Sequence, residues 1–285
     1  MTLKELDERS VLTAIEHRKK GRESKDPSMK RLLTTVVTIC CLFPLAAQAQ
    51  WGDLKLKFVL DGKPSAAAPI AVTKDPQFCG KHGLKDESVV IDAKTGAISN
   101  VVVFMYLTST AKKPKVHPDY SKVDGTEASL KNQNCRYQPR ILTMMTSQTL
   151  LAANPDPVGH NTKIDTFDPA NPAQNFNLPA GAEVKHKFNV EERLPIPVSC
   201  SIHPWMKAYI LIKDNPYMGV SDANGEVTIK NVPEGSWRFR IWQETAGYIS
   251  DAKSSVKLSK GRFDITIKSG MNDLGTFKVS ADEFK

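Results

Sequence analysis

Seven consecutive residues, Cys200-Ser201-Ile202-His203-Pro204-Trp205-Met206, set a thiol, an imidazole and a thioether at intervals of three. Such a cluster needs a short loop held at both ends. Val198 leads into it, and Ala208-Tyr209-Ile210-Leu211-Ile212 leaves it as an apolar run suited to a buried strand. Upstream, Asn154-Pro155-Asp156-Pro157-Val158-Gly159-His160-Asn161 places a second imidazole in a turn rich in Pro and Gly. The fold must therefore bring the Cys200–Met206 loop back to His160 across forty residues.

Taken singly, these residues have commonplace roles, since cysteine and methionine fill cores and histidine is often structural. Together they form the donor set of a mononuclear type 1 (blue) copper site: two histidines and a cysteine in a plane, with a weak, long methionine contact. Structural zinc prefers more cysteines and no thioether. A binuclear copper centre needs a second cysteine in the loop. A trinuclear cluster needs paired His-x-His elements, and the six histidines, at 17, 82, 117, 160, 186 and 203, form none. Catalytic copper chemistry lacks its residues, so the chain is not expected to be an enzyme.

The Cys-x-x-His-Pro-aromatic-Met spacing resembles the cupredoxin family, in particular the amicyanin- and plastocyanin-like, methylamine-utilisation-type blue copper proteins. The resemblance implies one copper ion on His160, Cys200, His203 and Met206. It also implies that Asn161 ties its loop to Ser201, the residue after the cysteine, and such outer contacts orient ligands and tune the metal. Pro204 stiffens the loop and removes a backbone donor. Trp205 sits beside the imidazole edge through which electrons leave, or else serves the core.

Residues 1–28 are charged and lack an apolar period. Met29-Lys30-Arg31 then opens a basic segment, Leu32 to Leu45 is apolar, and Ala47-Gln48-Ala49 is an A-x-A site. This is the pattern of a secretory signal cleaved after Ala49, which implies a periplasmic or secreted protein. The apolar stretch is short for a membrane span, and no second candidate follows. Cys40 and Cys41 lack the small preceding residue expected of a lipoprotein. Without residues 1–49 the net charge falls from +8 to +5. The lysines are spread among strands, so no nucleic-acid face is expected; an acidic protein partner fits better. With Cys200 on copper, Cys79 and Cys135 remain as an even pair in an oxidising compartment, and a disulfide between them is expected. The rival reading, Cys79-Gly80-Lys81-His82 as metal ligands, has no partner pair.

The remaining pattern is all-β. Leu54 to Leu60 alternates in period two, and Val101 to Leu107 is a continuous apolar run. Thr73 to Asp92 reads as a loop with short strands, and 109–130 as a polar connection with a solvated His117. Arg140–Met145 and Thr149–Ala153 read as paired strands, and the alternating run 182–188 carries His186 without a liganding context. Gly219 to Trp242 resembles the carboxypeptidase regulatory, transthyretin-like β-sandwich, with a tight hairpin at Asp222-Ala223-Asn224-Gly225. Strands at 256–258 and 263–267 close it. That stretch is too short to cover its own apolar face. The expected organisation is therefore a Greek-key cupredoxin sandwich at 130–213, inserted between early strands (50–129) and the C-terminal sandwich (214–285) that they complete. The expected role is single-electron transfer with a redox protein, a cytochrome or a dehydrogenase. The alternatives are copper storage or delivery, and a carbohydrate- or protein-binding surface module with a vestigial copper site.

Overall fold

The structure is a computed structural model and describes residues 51–285. The secretory signal read at Met29–Ala49, with Cys40, Cys41 and the charged segment before it, lies outside the described residues. Four sheets form two sandwiches.

In the first sandwich, Trp51–Asp61 alternates as its sequence requires, turning Leu54, Leu56, Phe58 and Leu60 inward. It pairs antiparallel with Glu226–Pro233, Leu54 opposite Ile229, and parallel with Gly270–Ser280, Phe58 opposite Phe277. The facing sheet sets Val102–Met105 between Met218–Val220 and Gly235–Gln243, and Arg262–Ile267 pairs with Gly235–Gln243. Val103, Met105, Phe239, Ile241 and Phe263 meet the Leu54–Leu60 face in one core. Each such side chain, fully buried, contributes about 1.5–3 kcal/mol.

The second sandwich is formed by the chain between those strands. One sheet orders Arg136–Gln138, Glu127–Gln133, Thr149–Ala153 and Glu183–His186. The other orders Ile141–Met145, Lys207–Lys213, Ile196–Ser199, His160–Ile164 and Gln174–Leu178. Leu130, Tyr137, Leu150, Ile196 and Ile210 fill the space between.

Several local expectations change. Ile141–Met145 and Thr149–Ala153 do not pair: the first runs beside Lys207–Lys213 and the second beside Glu127–Gln133, in opposite sheets. The short turn between them carries the chain across the core. Asp222–Gly225 is likewise a crossing and not a hairpin, since its flanking strands belong to different sheets. The Asp222 carboxylate accepts the amides of Asn224 and Glu226. Gly225 is required there, because its φ is +75° and a Cβ would lie 2.3 Å from the Phe58 carbonyl oxygen. Thr73–Asp92 contains a helical turn, Pro76–Cys79, followed by a 3-10 turn. Residues 256–258 form no strand. His117 is not solvated: it packs edge-on against Trp51 at 4.9 Å and accepts the Asp119 amide. No helix among the described residues is long and apolar enough to cross a membrane.

The sandwiches meet sheet against sheet, with Val102, Phe104 and Trp242 of one packed on Ile141 and Leu211 of the other. Arg140 and Glu244 clamp this junction through two parallel bonds of 2.9 and 2.7 Å. Their side chains are 10% and 4% exposed. Removing one partner of a buried pair strands the other charge, at a cost of about 3–5 kcal/mol. Glu244→Ala should therefore lower unfolding stability by about that amount in a urea titration. A loss below about 1 kcal/mol, the range of exposed pairs, would mean the clamp is solvent-screened.

Candidate metal centre

Register brings the site together. Ile196–Ser199 runs antiparallel to His160–Ile164 with Ser199 opposite Lys163, so Cys200 leaves one strand where His160 and Asn161 enter the other. The loop after Cys200 is closed by its own backbone: Met206 donates to the His203 carbonyl at 2.9 Å, and Cys200 to the Met206 carbonyl at 3.2 Å.

Inside this closure His160 Nδ1 lies 2.9 Å from His203 Nδ1, and Cys200 Sγ lies 3.9 Å from His203 Nδ1. The three donor atoms fall within 4.8 Å of one another. His160 and His203 are fully buried and Cys200 nearly so. Each imidazole is engaged from behind: His160 Nε2 meets Asp156 Oδ2 at 2.9 Å, and His203 Nε2 meets Asp75 Oδ2 at 2.8 Å. A carboxylate acceptor keeps the proton on Nε2 and leaves the Nδ1 lone pair facing inward. Two such lone pairs 2.9 Å apart repel each other unless a cation or one shared proton lies between them.

The electrostatics follow. Burial pushes the Cys200 thiol up, but hydrogen bonds with His160 and His203 and the amides of Asn161 and His203 bring it down to about 6. That direction favours the thiolate, the form that ligates metals. Burial pushes His160 down, and its bonds to Asp156 and Cys200 outweigh this, so its proton affinity is raised. One cysteine sulfur and two inward imidazole nitrogens, preassembled in a buried site, are a donor set that fits copper.

Asn161 ties the two loops. Its Oδ1 accepts the Ser201 amide at 2.7 Å and lies 3.3 Å from Cys200 Sγ, and its Nδ2 donates to Asn175 Oδ1 at 2.7 Å. Met206 is buried in the same core cluster as Cys200. Trp205 stacks edge-on to His203 at 5.2 Å and donates its ring N–H to the Cys135 carbonyl. Cys79 and Cys135 are joined in a disulfide with 5.5 Å between their Cα atoms. That removes the reading of Cys79 and His82 as metal ligands; His82 packs on Phe78 instead. It also disqualifies a second convergence of Cys135, Asp156 and His160, because Cys135 has no thiolate to offer. His186 lies between Phe176 and Phe188, away from the site.

Three contributors escaped sequence reasoning. Asp156 had a local signal, a carboxylate four residues before His160 in the same turn. Asp75 had none: it lies 128 residues from His203 and holds a left-handed backbone, φ +46°, which aspartate tolerates better than most residues. Tyr137 donates its hydroxyl to the Asn161 carbonyl at 2.6 Å from the core.

No protein-family model matches the chain, and neither does any curated protein. Among solved structures, the copper-containing nitrite reductase from Thermus scotoductus SA-01 is similar over 38% of this chain, with 16% identity and a TM-score of 0.27. This chain spans 25% of that reductase's length. A purple cupredoxin from Nitrosopumilus maritimus is 26% identical over 30% of this chain and 99% of its own, with a TM-score of 0.24. An amicyanin variant in its Cu(I) form is 13% identical over 37% of this chain and 97% of its own, with a TM-score of 0.28. At TM-scores below 0.3, the functional reading rests on the geometry of the site.

Proposed function

We propose that the chain is a cupredoxin-type protein that holds one type 1 copper ion and passes single electrons between redox proteins in an oxidising compartment. The observation that carries this is the convergence of His160 Nδ1, His203 Nδ1 and Cys200 Sγ, with both outer nitrogens engaged by carboxylates. Copper held there would supply a one-electron couple. Cys200 would contribute a thiolate, the histidines contribute oriented nitrogen donors, and Met206 is the proposed weak fourth contact. Asp75, Asp156 and Asn161 hold the ligands in one arrangement, and the buried loop excludes water. Ligands this deeply covered are poorly placed for exchange, which disfavours storage or delivery. We read residues 214–285, with the early strands, as a transthyretin-like carrier sandwich with no substrate chemistry of its own. A cytochrome or a dehydrogenase is the proposed partner class, reached after secretion directed by Met29–Ala49.

The direct test is Cu(II) titration followed by visible and electron paramagnetic resonance spectroscopy. An intense thiolate charge-transfer band is expected. Cys200→Ser should lose it while keeping the fold, and full colour in that variant would remove the assignment.

Met206→Leu should keep copper and colour and raise the reduction potential, because the thioether helps Cu(II) more than Cu(I) and leucine dries the site. A methionine that only packs would exchange with leucine for less than about 1.5 kcal/mol of stability, with no change in potential.

Asp75→Asn tests the outer contact. Asparagine tolerates the left-handed backbone and can still accept from His203 Nε2, so only a negative charge is lost. Voltammetry should show a raised potential, since that charge favours the more oxidised ion. A potential equal to that of the parent would place Asp75 outside the ligand's electrostatic reach.

A further inference from the structure

A cleft of about 990 Å3 opens where the two sandwiches meet, bounded by Tyr106, Arg193, Lys213, Arg240 and Tyr248. It lies away from the metal centre: Lys213 ends the strand Lys207–Lys213 that leaves the ligand loop, about 20 Å along at about 3.3 Å per residue.

The charge of the cleft is unbalanced. Its two carboxylates are already engaged, Asp214 with Lys113 at 3.6 Å and Glu191 with Lys213 at 3.8 Å. Lys213 is further satisfied by the Glu192 carbonyl at 2.7 Å. Arg193 and Arg240 have no carboxylate partner among the described residues. Arg240 is 8% exposed. Its guanidinium sits 4.1 Å from the Tyr106 ring and 4.4 Å from the Tyr248 ring, and Nη1 donates to the Tyr248 hydroxyl at 3.2 Å. Its Nε is buried with no acceptor among the described residues. A buried donor left without an acceptor is a standing cost. Across the ladder Arg240 faces another cation, Arg262, and like charges directly opposite are destabilising. The two tyrosine rings offset part of the cost of the buried cation, and an anion in the cleft would offset more. Apolar side chains share the walls with these charges: Val116 and Phe167, 47% and 45% exposed, are two of the three large apolar side chains exposed among the described residues.

We propose that this cleft binds a small organic carboxylate with an apolar body. The carboxylate lies against Arg240 and Arg193, and the body lies along Val116, Phe167 and Tyr106. A rigid guanidinium matches a carboxylate with two parallel bonds. A cleft of this volume at a domain junction, with an apolar wall beside cationic anchors, has the form of a small-molecule site. Inorganic phosphate would answer the charge and leave the apolar walls uncovered.

The test is calorimetric titration of the full chain with three probes: sodium octanoate, 1-octanol and inorganic phosphate. Octanoate should bind saturably at one site, and octanol and phosphate at least about tenfold more weakly, the ratio that one charge-assisted hydrogen bond or a buried alkyl chain supplies. Arg193→Gln alters an exposed residue and leaves the core untouched. It should weaken octanoate about tenfold, and Arg240→Met, if its circular dichroism is that of the parent, should abolish binding. Cys200→Ser should bind octanoate as the parent does, which separates this site from the copper reading. Absence of saturable octanoate binding would overturn the proposal, as would octanol or phosphate binding as tightly, or parental affinity in Arg193→Gln.

Discussion

The Asp156 carboxylate is the contact on which the metal end of the molecule depends. It accepts from the backbone of Asn134 at 2.7 Å, from the backbone of Cys135 at 2.8 Å and from His160 Nε2 at 2.9 Å. Burial pushes this carboxyl up, and the bonds from His160, Cys135 and Asn134 outweigh it, so the group is held below the usual carboxylate range. Asn134 and Cys135 form a two-residue hairpin turn between Gln133 and Arg136, both with positive φ, +56° and +55°. Glycine is the residue that favours such positions, and a cysteine there needs outside support. Asp156 supplies it, and in doing so joins the turn to a ligand histidine.

The same turn is held from two further directions. Its Cys135 sulfur is bonded to Cys79, four residues after Asp75, and its carbonyl takes the Trp205 ring N–H. One hairpin thereby positions Asp156 behind His160, the Asp75 loop behind His203, and the Trp205 edge of the ligand loop. Preorganisation of this kind limits how far ligands move when charge at the site changes. In the proposed reading it is the protein's main contribution, because electron transfer is slowed by rearrangement and needs no covalent step.

What the sequence made legible, it made legible through short-range physics. Period two along Leu54–Leu60 and the unbroken apolar run at Val101–Leu107 mark strands because alternation and burial are local properties. The Cys200–Met206 loop was legible because three donors share seven residues. The neighbour of a strand is not local: Ile141–Met145 is buried on both faces and Thr149–Ala153 on one, and neither pattern tells whether the two pair or cross the core. Asp75 was invisible for that reason too, since a single exposed-looking carboxylate before a proline has no pattern until the disulfide brings its loop to His203. His117 looked solvated because its partner, Trp51, stands 66 residues away.

Asp75 also changes how an electron would reach the site under the proposed reading. His203 has no exposed edge, since the carboxylate caps its outer nitrogen and the ring is fully covered. The aromatic contact leading outward is Trp205, edge-on to His203 and lining a cleft of about 380 Å3 with Pro204 and Arg140. The floor of that cleft holds the Arg140–Glu244 clamp, so the same surface reports on the junction between the sandwiches. A partner that docks over Trp205 would meet Pro204 at the rim, above the buried Arg140–Glu244 pair that joins the two sandwiches. Under that reading the first sandwich would stand behind the rim around Trp205, through which the buried ligands meet the cleft.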